Sequence, residues 1–213
     1  MSPLQPPAHH PRGATTHAAR RCEVAESVSV FLKTHPRTGS KLDASWHPGP
    51  LPKIIHQQWK TKDIPPGPYT TWHNKHLELY PRPEWTHMIW TDENARELIK
   101  SDYPFFLKTY DSYEWGIQRA DAVRYFVLHK YGGMYVDLDY ESRVNFWDRL
   151  PQDRVGLVES PYQYNEKAQN SLMSSPKGDP FWNETFVLLM ERSTRPVLHA
   201  TGPCVGSFAS PRN

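Results

Sequence analysis

The stretch RADAVRYFVLHKYGGMYVDLD, residues 119–139, contains the features that decide the fold. It predicts a helix over about residues 117–130, a left-handed turn at the glycine pair, and a strand that ends with Asp137 and Asp139. Side chains two residues apart in a strand point to the same face, so these carboxylates should both reach one bound cation. Carboxylate oxygens in such a pair suit Mg²⁺ or Mn²⁺.

The rest of the globular pattern begins at about residue 51 and alternates strands with helices. Strands are predicted over residues 51–59, 85–90, 134–139 and 154–160. Further helices are predicted over residues 66–79, from a Thr91 N-cap to about residue 104, and from Asp179-Pro180 to about residue 191. This alternation predicts an α/β fold with a mostly parallel sheet and flanking helices.

The first 50 residues differ in composition from the remaining chain. They are rich in proline, histidine and arginine and contain no acidic residue before Glu23, which predicts a disordered tail ahead of a domain over residues 51–213. The formal net charge of the 213 residues is only +2 at pH 7, which does not indicate nucleic-acid binding. No segment approaches the roughly 18 apolar residues of a transmembrane helix. The two cysteines lie near opposite ends and predict no disulfide framework.

The segment WTDENARELIKSDYPFFLKTYDSYEWGIQRADAVRYFVLHKYGGMYVDLD, residues 90–139, resembles the sugar-binding region of glycosyltransferase family 32. Within that family it is most similar to the inositol-phosphoceramide mannosyltransferases. The similarity also includes PKIIHQQWKTKDIPP at residues 52–66 and covers roughly residues 51–202. The resemblance implies a GT-A type fold, which is a Rossmann-like nucleotide-binding sheet, with a divalent cation, a nucleotide-sugar donor and retention of anomeric configuration.

The resemblance also implies roles for the acidic strand end and the helix before it. Asp137 and Asp139 correspond to the catalytic D-x-D pair, which contacts the metal, the donor diphosphate and the donor ribose or sugar. Asp121 and Arg124 resemble the R-A-D-x-x-R clamp on the donor sugar. The alternative for Asp121 and Arg124 is an exposed ion pair one helical turn apart. Tyr135 precedes the acids and is assigned to the core.

Candidate donor contacts lie in two further segments. His56, Gln57 and Trp59 stand at the end of the first strand, where the family places its nucleotide base, and an aromatic face can stack on a base. A core tryptophan is an equal alternative. Asn170 resembles a family segment near the donor and acceptor sugars, or is an ordinary loop asparagine. Arg119 either pairs with phosphate or covers the start of its helix.

These features favour a metal-dependent retaining transferase that moves a hexose to an inositol-phosphate sphingolipid or a glycan. GDP-mannose is the favoured donor and a UDP-hexose the other candidate. The resemblance implies Golgi or another secretory membrane compartment. Two carboxylates that face the same way argue against a glycosidase, whose two carboxylates must flank the scissile bond. The sequence contains no G-x-x-x-x-G-K-[ST] loop and therefore does not indicate a phosphotransferase. The alternative is an inactive remnant that binds nucleotide sugars or carbohydrate.

Three departures from the family pattern bear on activity. The family has a His-Pro-Phe step where this chain has Asp179-Pro180-Phe181. Second, members of the family continue well beyond the Thr201-Gly202-Pro203 step, into a region that supplies a late metal ligand. Third, they typically have an amino-terminal membrane anchor. The predicted domain is therefore short at its C-terminal end, and a membrane-bound partner subunit would be one source of the last ligand.

Overall fold

Five strands form one mixed sheet in the computed structural model, which describes residues 47–159 and 168–202. The strands are β1 (Ile54–Gln58), β2 (Thr86–Trp90), β3 (Gly133–Val136), β4 (Gly156–Glu159) and β5 (Ala168–Ser175). They lie in the order β2-β1-β3-β5-β4. β1 pairs in parallel with β2 and β3, whereas β5 pairs antiparallel with β3 and β4. Four strands therefore share one direction, which confirms the predicted mostly parallel α/β sheet.

Six α-helices flank this sheet within the described ranges. They are α1 (Pro68–Leu79), α2 (Asp92–Asp102), α3 (Pro104–Ser112), α4 (Gly116–Tyr131), α5 (Phe181–Glu191) and α6 (Val197–Ala200). The four predicted helices are confirmed within a few residues, and Thr91 caps α2 as expected. The sequence pattern missed α3 because Pro104 was interpreted only as the end of a helix although it also begins the next one. It also missed α6, which has only four residues. No helix of the described ranges is both long and apolar enough to cross a membrane.

The predicted tail lies almost wholly outside the described residues. Residues 47–50 are described, are exposed, and have no regular secondary structure. Leu51 is the first buried residue of the described chain.

Helix α4 lies at the centre of the core. Every residue from Asp121 to Leu128 is buried, so the helix is enclosed on all sides over this stretch. The helix packs against the sheet on one side and against the other helices on the other, and Phe126 stacks on Phe186 of α5 with ring centroids 4.1 Å apart. Burying an aromatic side chain of this size contributes about 1.5–3 kcal/mol. The core therefore holds α4, and with it Asp121 and Arg124, in place.

Side chains from the first turn of α4 hydrogen-bond to the backbone at the start of the helix. Gln118 Oε1 accepts from the Trp115 backbone N–H at 3.1 Å. Arg119 Nη1 donates to the Tyr113 carbonyl oxygen at 2.6 Å. Of the two roles considered for Arg119, the contact seen is the one that covers the helix start.

The turn from α4 into β3 depends on glycine. Gly132 and Gly133 have φ angles of 69° and 98°, a region that side chains disfavour. A Cβ atom on Gly133 would lie 2.4 Å from the carbonyl oxygen of Ile54 in β1. The absence of a side chain at Gly133 therefore lets β3 approach β1, and this approach sets the position of the acidic pair.

Strand β3 is shorter than predicted and β5 was not predicted at all. β3 ends at Val136, and a turn follows in which the Tyr140 N–H donates to the Asp137 carbonyl oxygen at 3.1 Å. Asp137 still pairs with β5, since its N–H donates to the Ser171 carbonyl oxygen at 2.8 Å, whereas Asp139 lies in the turn, so strand alternation does not set the direction of Asp139. β5 was missed because its residues are mostly polar or small, and such a strand is identified by its pairing partners rather than by apolar alternation.

Candidate donor-binding site

A pocket of about 520 Å³ opens at the carboxyl ends of β1, β2 and β3. Its walls include residues that follow these strands and residues of α4, namely Trp59, Lys60, Asp92, Ile117, Arg124, Asp137 and Asp139. Ligands of open α/β sheets bind at this edge, where the connections leave a crevice. The structure thus brings the predicted helix and the D-x-D pair, Asp137 and Asp139, to one pocket.

Arg124 connects α4 to the D-x-D turn and to β5. Its guanidinium pairs with Asp121 at 2.9 Å, donates to the Asn170 carbonyl oxygen at 2.8 Å, and approaches Asp137 Oδ2 at 3.3 Å. The side chains of Arg124 and Asp121 are only 5% and 10% exposed. The alternative of an exposed ion pair is therefore wrong, and these charges persist in the interior because they are paired and hydrogen-bonded.

The acids of this network have altered proton affinities. Burial raises the pKa of Asp121 and of Asp137, and the nearby Arg124 charge opposes both shifts. Tyr135 donates to Asp137 Oδ1 at 2.8 Å, and its ring lies 4.8 Å from the Arg124 guanidinium. Tyr135 was assigned to the core. It is buried there, and it also orients one acid of the pair.

Asp139 differs from Asp137 in being exposed at the pocket. Within residues 47–159 and 168–202, no group of three or more His, Cys, Asp or Glu side chains is arranged to hold a metal ion. Two carboxylates, one already hydrogen-bonded, suit a cation that takes its remaining ligands from phosphate and water, as Mg²⁺ commonly does. The residues present therefore fit a cation shared with a diphosphate better than one held by protein alone.

His56 lies beneath the pocket and not in its wall. Its Nε2–H donates to the Gly132 carbonyl oxygen at 2.8 Å, and its Nδ1 accepts from the Trp90 indole N–H at 3.0 Å. Burial lowers the pKa of His56 to about 4, so the ring is neutral at physiological pH. Both ring nitrogens are engaged inside the protein, which places His56 in a structural role instead of the predicted donor contact.

Gln57 and Trp59 are separated by the structure. The Gln57 side chain is buried against α1, where its Oε1 lies 2.7 Å from His73 Nδ1. Trp59 lines the pocket, with its ring centroid 5.0 Å from that of Tyr69. Of these two predicted base contacts, Trp59 is the one that the structure places at the pocket.

Asn170 is neither a loop residue nor part of the pocket wall described above. It is buried in β5, and its Nδ2 donates to the Tyr125 hydroxyl at 3.2 Å. That hydroxyl donates in turn to the Thr201 carbonyl oxygen at 2.9 Å, and Thr201 Oγ1 lies 3.4 Å from Asp121 Oδ2. Asn170 thus braces the helix that carries Asp121 and Arg124.

Several pocket residues were not predicted as site residues, among them Lys60, Asp92 and Tyr69. Lys60 follows β1, Asp92 begins α2, and Tyr69 lies near the start of α1. A signal was present, because Lys60 and Asp92 both directly follow predicted strands, and the carboxyl ends of parallel strands meet at one edge of a sheet.

Comparison with protein families supports the same region of the chain. A family described as "Glycosyltransferase sugar-binding region containing DXD motif" matches residues 69–156. Inositol phosphoceramide mannosyltransferase 3 of Schizosaccharomyces pombe is 52% identical over 131 residues, which are 62% of this chain and 35% of that protein. Inositol phosphoceramide mannosyltransferase 2 of the same yeast is 43% identical over 199 residues, 84% of this chain and 53% of that protein.

Another curated relative and one solved structure complete the comparison. Mannosyl phosphorylinositol ceramide synthase SUR1 of Saccharomyces cerevisiae is 50% identical over 97 residues, 46% of this chain and 25% of that protein. The chain thus spans 25% to 53% of these three relatives. The PaToxG glycosyltransferase structure has a TM-score of 0.58 at 22% identity over 90% of this chain and 79% of that one, which shows a shared fold. The resemblance found in the sequence is therefore confirmed, and residues 69–156, which include the D-x-D pair, are the part of this chain that matches the D-x-D-containing glycosyltransferase sugar-binding region.

Proposed function

We propose that this chain supplies the donor-binding domain of a metal-dependent, retaining mannosyltransferase. The donor is GDP-mannose, and the acceptor is an inositol-phosphate sphingolipid or a related glycan. The observation that carries the proposal is the buried Arg124, which pairs with Asp121 and lies 3.3 Å from the first acid of the D-x-D pair at the carboxyl edge of the sheet. The names of the relatives, two inositol phosphoceramide mannosyltransferases and one mannosyl phosphorylinositol ceramide synthase, favour this sugar and this lipid.

Each residue of the network has a separate part in this proposal. Arg124 faces the pocket and donates to oxygens of the donor, whereas Asp121 holds the guanidinium in place. Asp139 offers an exposed carboxylate to the cation, and Asp137 offers one that is already oriented by Tyr135. The cation, when bound, neutralises the diphosphate as it leaves the sugar.

A buried, paired guanidinium suits this task. It keeps a fixed orientation before the donor arrives, so little conformational entropy is lost on binding. The proposed reaction takes place on a lipid, so its setting is a membrane of the secretory pathway, with Golgi favoured. Mn²⁺ is the favoured cation and Mg²⁺ the other candidate.

Calorimetric titration tests the proposal directly. GDP, GDP-mannose and UDP-glucose are titrated into the protein with and without MnCl₂, and transfer is followed with radiolabelled GDP-mannose and inositol phosphoceramide in detergent micelles. We expect GDP to bind at least about tenfold more tightly with Mn²⁺, because the D-x-D acids hold a cation jointly with phosphate. Little cation should bind in the absence of nucleotide.

Two variants sharpen the result. Asp139→Asn should abolish the effect of Mn²⁺ on GDP binding. Asp153→Asn removes a carboxylate that is 66% exposed and is not among the pocket residues, and it should behave as the unmodified protein does. If Mn²⁺ leaves the affinity of the unmodified protein for GDP unchanged, the proposal is wrong. Metal-dependent binding with neither sugar transfer nor donor hydrolysis would instead support a non-catalytic donor-binding protein.

A further inference from the structure

The carboxyl edge of the sheet arranges the pocket residues in a line. β2, β1 and β3 are neighbours in that order, and Asp92, Lys60 and the D-x-D pair follow them respectively. The parallel pairing of β1 and β2 continues past their ends, since Trp59 N–H donates to the Trp90 carbonyl oxygen at 2.9 Å and Asp92 N–H to that of Lys60 at 3.3 Å. Neighbouring strands are about 4.8 Å apart. Asp92 therefore lies about two strand spacings, roughly 10 Å, from the proposed diphosphate end of the pocket.

An aromatic wall lines the same pocket as Asp92. We use this name for Trp59 and Tyr69, which both line the pocket and have ring centroids 5.0 Å apart with planes tilted by 41°. Tyr69 is 37% exposed. An aromatic surface of this kind accepts a stacked nucleobase of any type. The wall thus accounts for base binding but not for the choice of base.

The Asp92 carboxylate takes no part in the hydrogen bonds that cap its helix. Thr91 is the N-cap of α2, its Oγ1 accepts from the Asn94 N–H at 3.2 Å, and its own N–H donates to Asn94 Oδ1 at 2.6 Å. The capping box is thereby complete without Asp92. The Asp92 side chain makes no hydrogen bond or ion pair with the part of the chain that the structure describes. An exposed carboxylate that lines a pocket and has no such contact within residues 47–159 and 168–202 is available to a ligand.

We propose that Asp92 selects the base of the donor, and that this base is guanine. The carboxylate accepts from the adjacent N1–H and exocyclic amino group of a guanine stacked on the aromatic wall, and Lys60 lies on the side of the carbonyl oxygen. Uracil presents one N–H between two carbonyl oxygens, so it would place an acceptor against the carboxylate. This inference rests on the proposed function and names the group that fixes its nucleotide.

Three nucleoside diphosphates test the inference in the presence of saturating Mn²⁺. GDP, IDP and UDP are titrated into the unmodified protein and into Asp92→Asn, because IDP differs from GDP only in lacking the exocyclic amino group. We expect GDP to bind about tenfold more tightly than IDP, which is what one hydrogen bond to a charged group typically provides. In Asp92→Asn this ratio should fall to about one.

Glu93→Gln is the matched control, because Glu93 is the next exposed acid in the first turn of α2 and is not among the pocket residues. It should keep the preference for GDP. Equal binding of GDP and IDP by the unmodified protein, or a preference that survives in Asp92→Asn, would overturn the role of Asp92 while leaving metal-dependent donor binding intact. Failure of all three nucleotides to bind in Mn²⁺ would overturn the proposed function and this inference with it.

Discussion

Replacing Arg124 with methionine should leave two acids of the site without their counter-ion. Arg124 pairs with Asp121 at 2.9 Å and lies 3.3 Å from Asp137. The side chains of Asp121 and Asp137 are 10% and 27% exposed. Methionine keeps most of the apolar stem of arginine, so the substitution chiefly removes charge and hydrogen bonds.

The size of the effect follows from the burial of the pair. Removing one member of a buried ion pair costs about 3–5 kcal/mol, because the remaining charge stays desolvated. Asp121 meets this condition, whereas Asp137 is partly hydrated and should add less. We expect the free energy of unfolding to fall by about 3–5 kcal/mol and the melting midpoint by roughly 6–20 °C, since each kcal/mol shifts a domain of this size by about 2–4 °C.

The loss should also depend on pH. Burial raises the pKa of Asp121 and Asp137, and Arg124 limits the rise. Without Arg124 both pKa values should move further above those of the unfolded chain. A carboxyl whose pKa is higher in the folded state binds more protons when folded, so stability falls as pH rises between the two pKa values. The loss in Arg124→Met should therefore be smaller at pH 5 than at pH 7.5.

Urea unfolding followed by tryptophan fluorescence at both pH values measures this loss, and calorimetry gives the midpoint. Arg96→Met is the control, since Arg96 pairs with Asp111 at 2.7 Å but the two side chains are 48% and 41% exposed. That substitution should leave the midpoint nearly unchanged. Equal effects of the two substitutions, or a loss in Arg124→Met that is the same at both pH values, would refute the reasoning.

Three further predictions concern the metal, the glycine turn and acid sensitivity. Asp139→Asn should remove the stabilisation that GDP and Mn²⁺ together provide, which is about 2.7 kcal/mol at 100 times Kd. It should change the unfolding free energy of the unliganded protein by no more than about 0.5 kcal/mol. Scanning calorimetry with and without both ligands measures the two effects. Gly133→Ala should destabilise the fold by at least about 1–3 kcal/mol, because its φ is 98° and the new Cβ would lie 2.4 Å from the Ile54 carbonyl oxygen. Gly49→Ala, with nothing within 4 Å of its added Cβ, should leave the urea midpoint unchanged. His56 has its pKa lowered from 6.5 to about 4 by burial, so its contribution is present above pH 6.5 and is lost as pH falls toward 4, by up to about 3 kcal/mol. Unfolding free energies should therefore fall more steeply with acid in the unmodified protein than in His56→Gln, and parallel curves would contradict the assignment.

Asp137 and Asp139 show what a local sequence pattern can predict about a site and what it cannot. The sequence placed Asp137 and Asp139 at the end of a strand, and the structure places both of them at the pocket. The strand stops at Val136, however, because the chain closes a turn through the Tyr140 N–H. The end of a strand depends on where its neighbours stop pairing, which one segment does not reveal.

Residues at the C-terminal end of β1 show what a local pattern does not predict. A single sequence run predicted His56, Gln57 and Trp59 as a group of base contacts. In the structure the His56 ring is hydrogen-bonded to Gly132 and Trp90, and the Gln57 side chain is hydrogen-bonded to His73 of α1. Side chains along a strand alternate between faces, so which residues reach the pocket depended on what packs against each face.

The sequence by itself determined four of the five strands and four of the six helices, the cap at Thr91, the glycine turn and the resemblance of the D-x-D region, because periodicity, caps and motifs involve residues close along the chain. The tertiary structure alone decided that Arg124 and Asp121 are buried, that Asn170 braces their helix, and that Asp92 joins the pocket. These outcomes rest on contacts between distant residues, such as that between Asp121 and Thr201, 80 positions apart. Burial and pairing of this kind arise only when the sheet and helices have packed together.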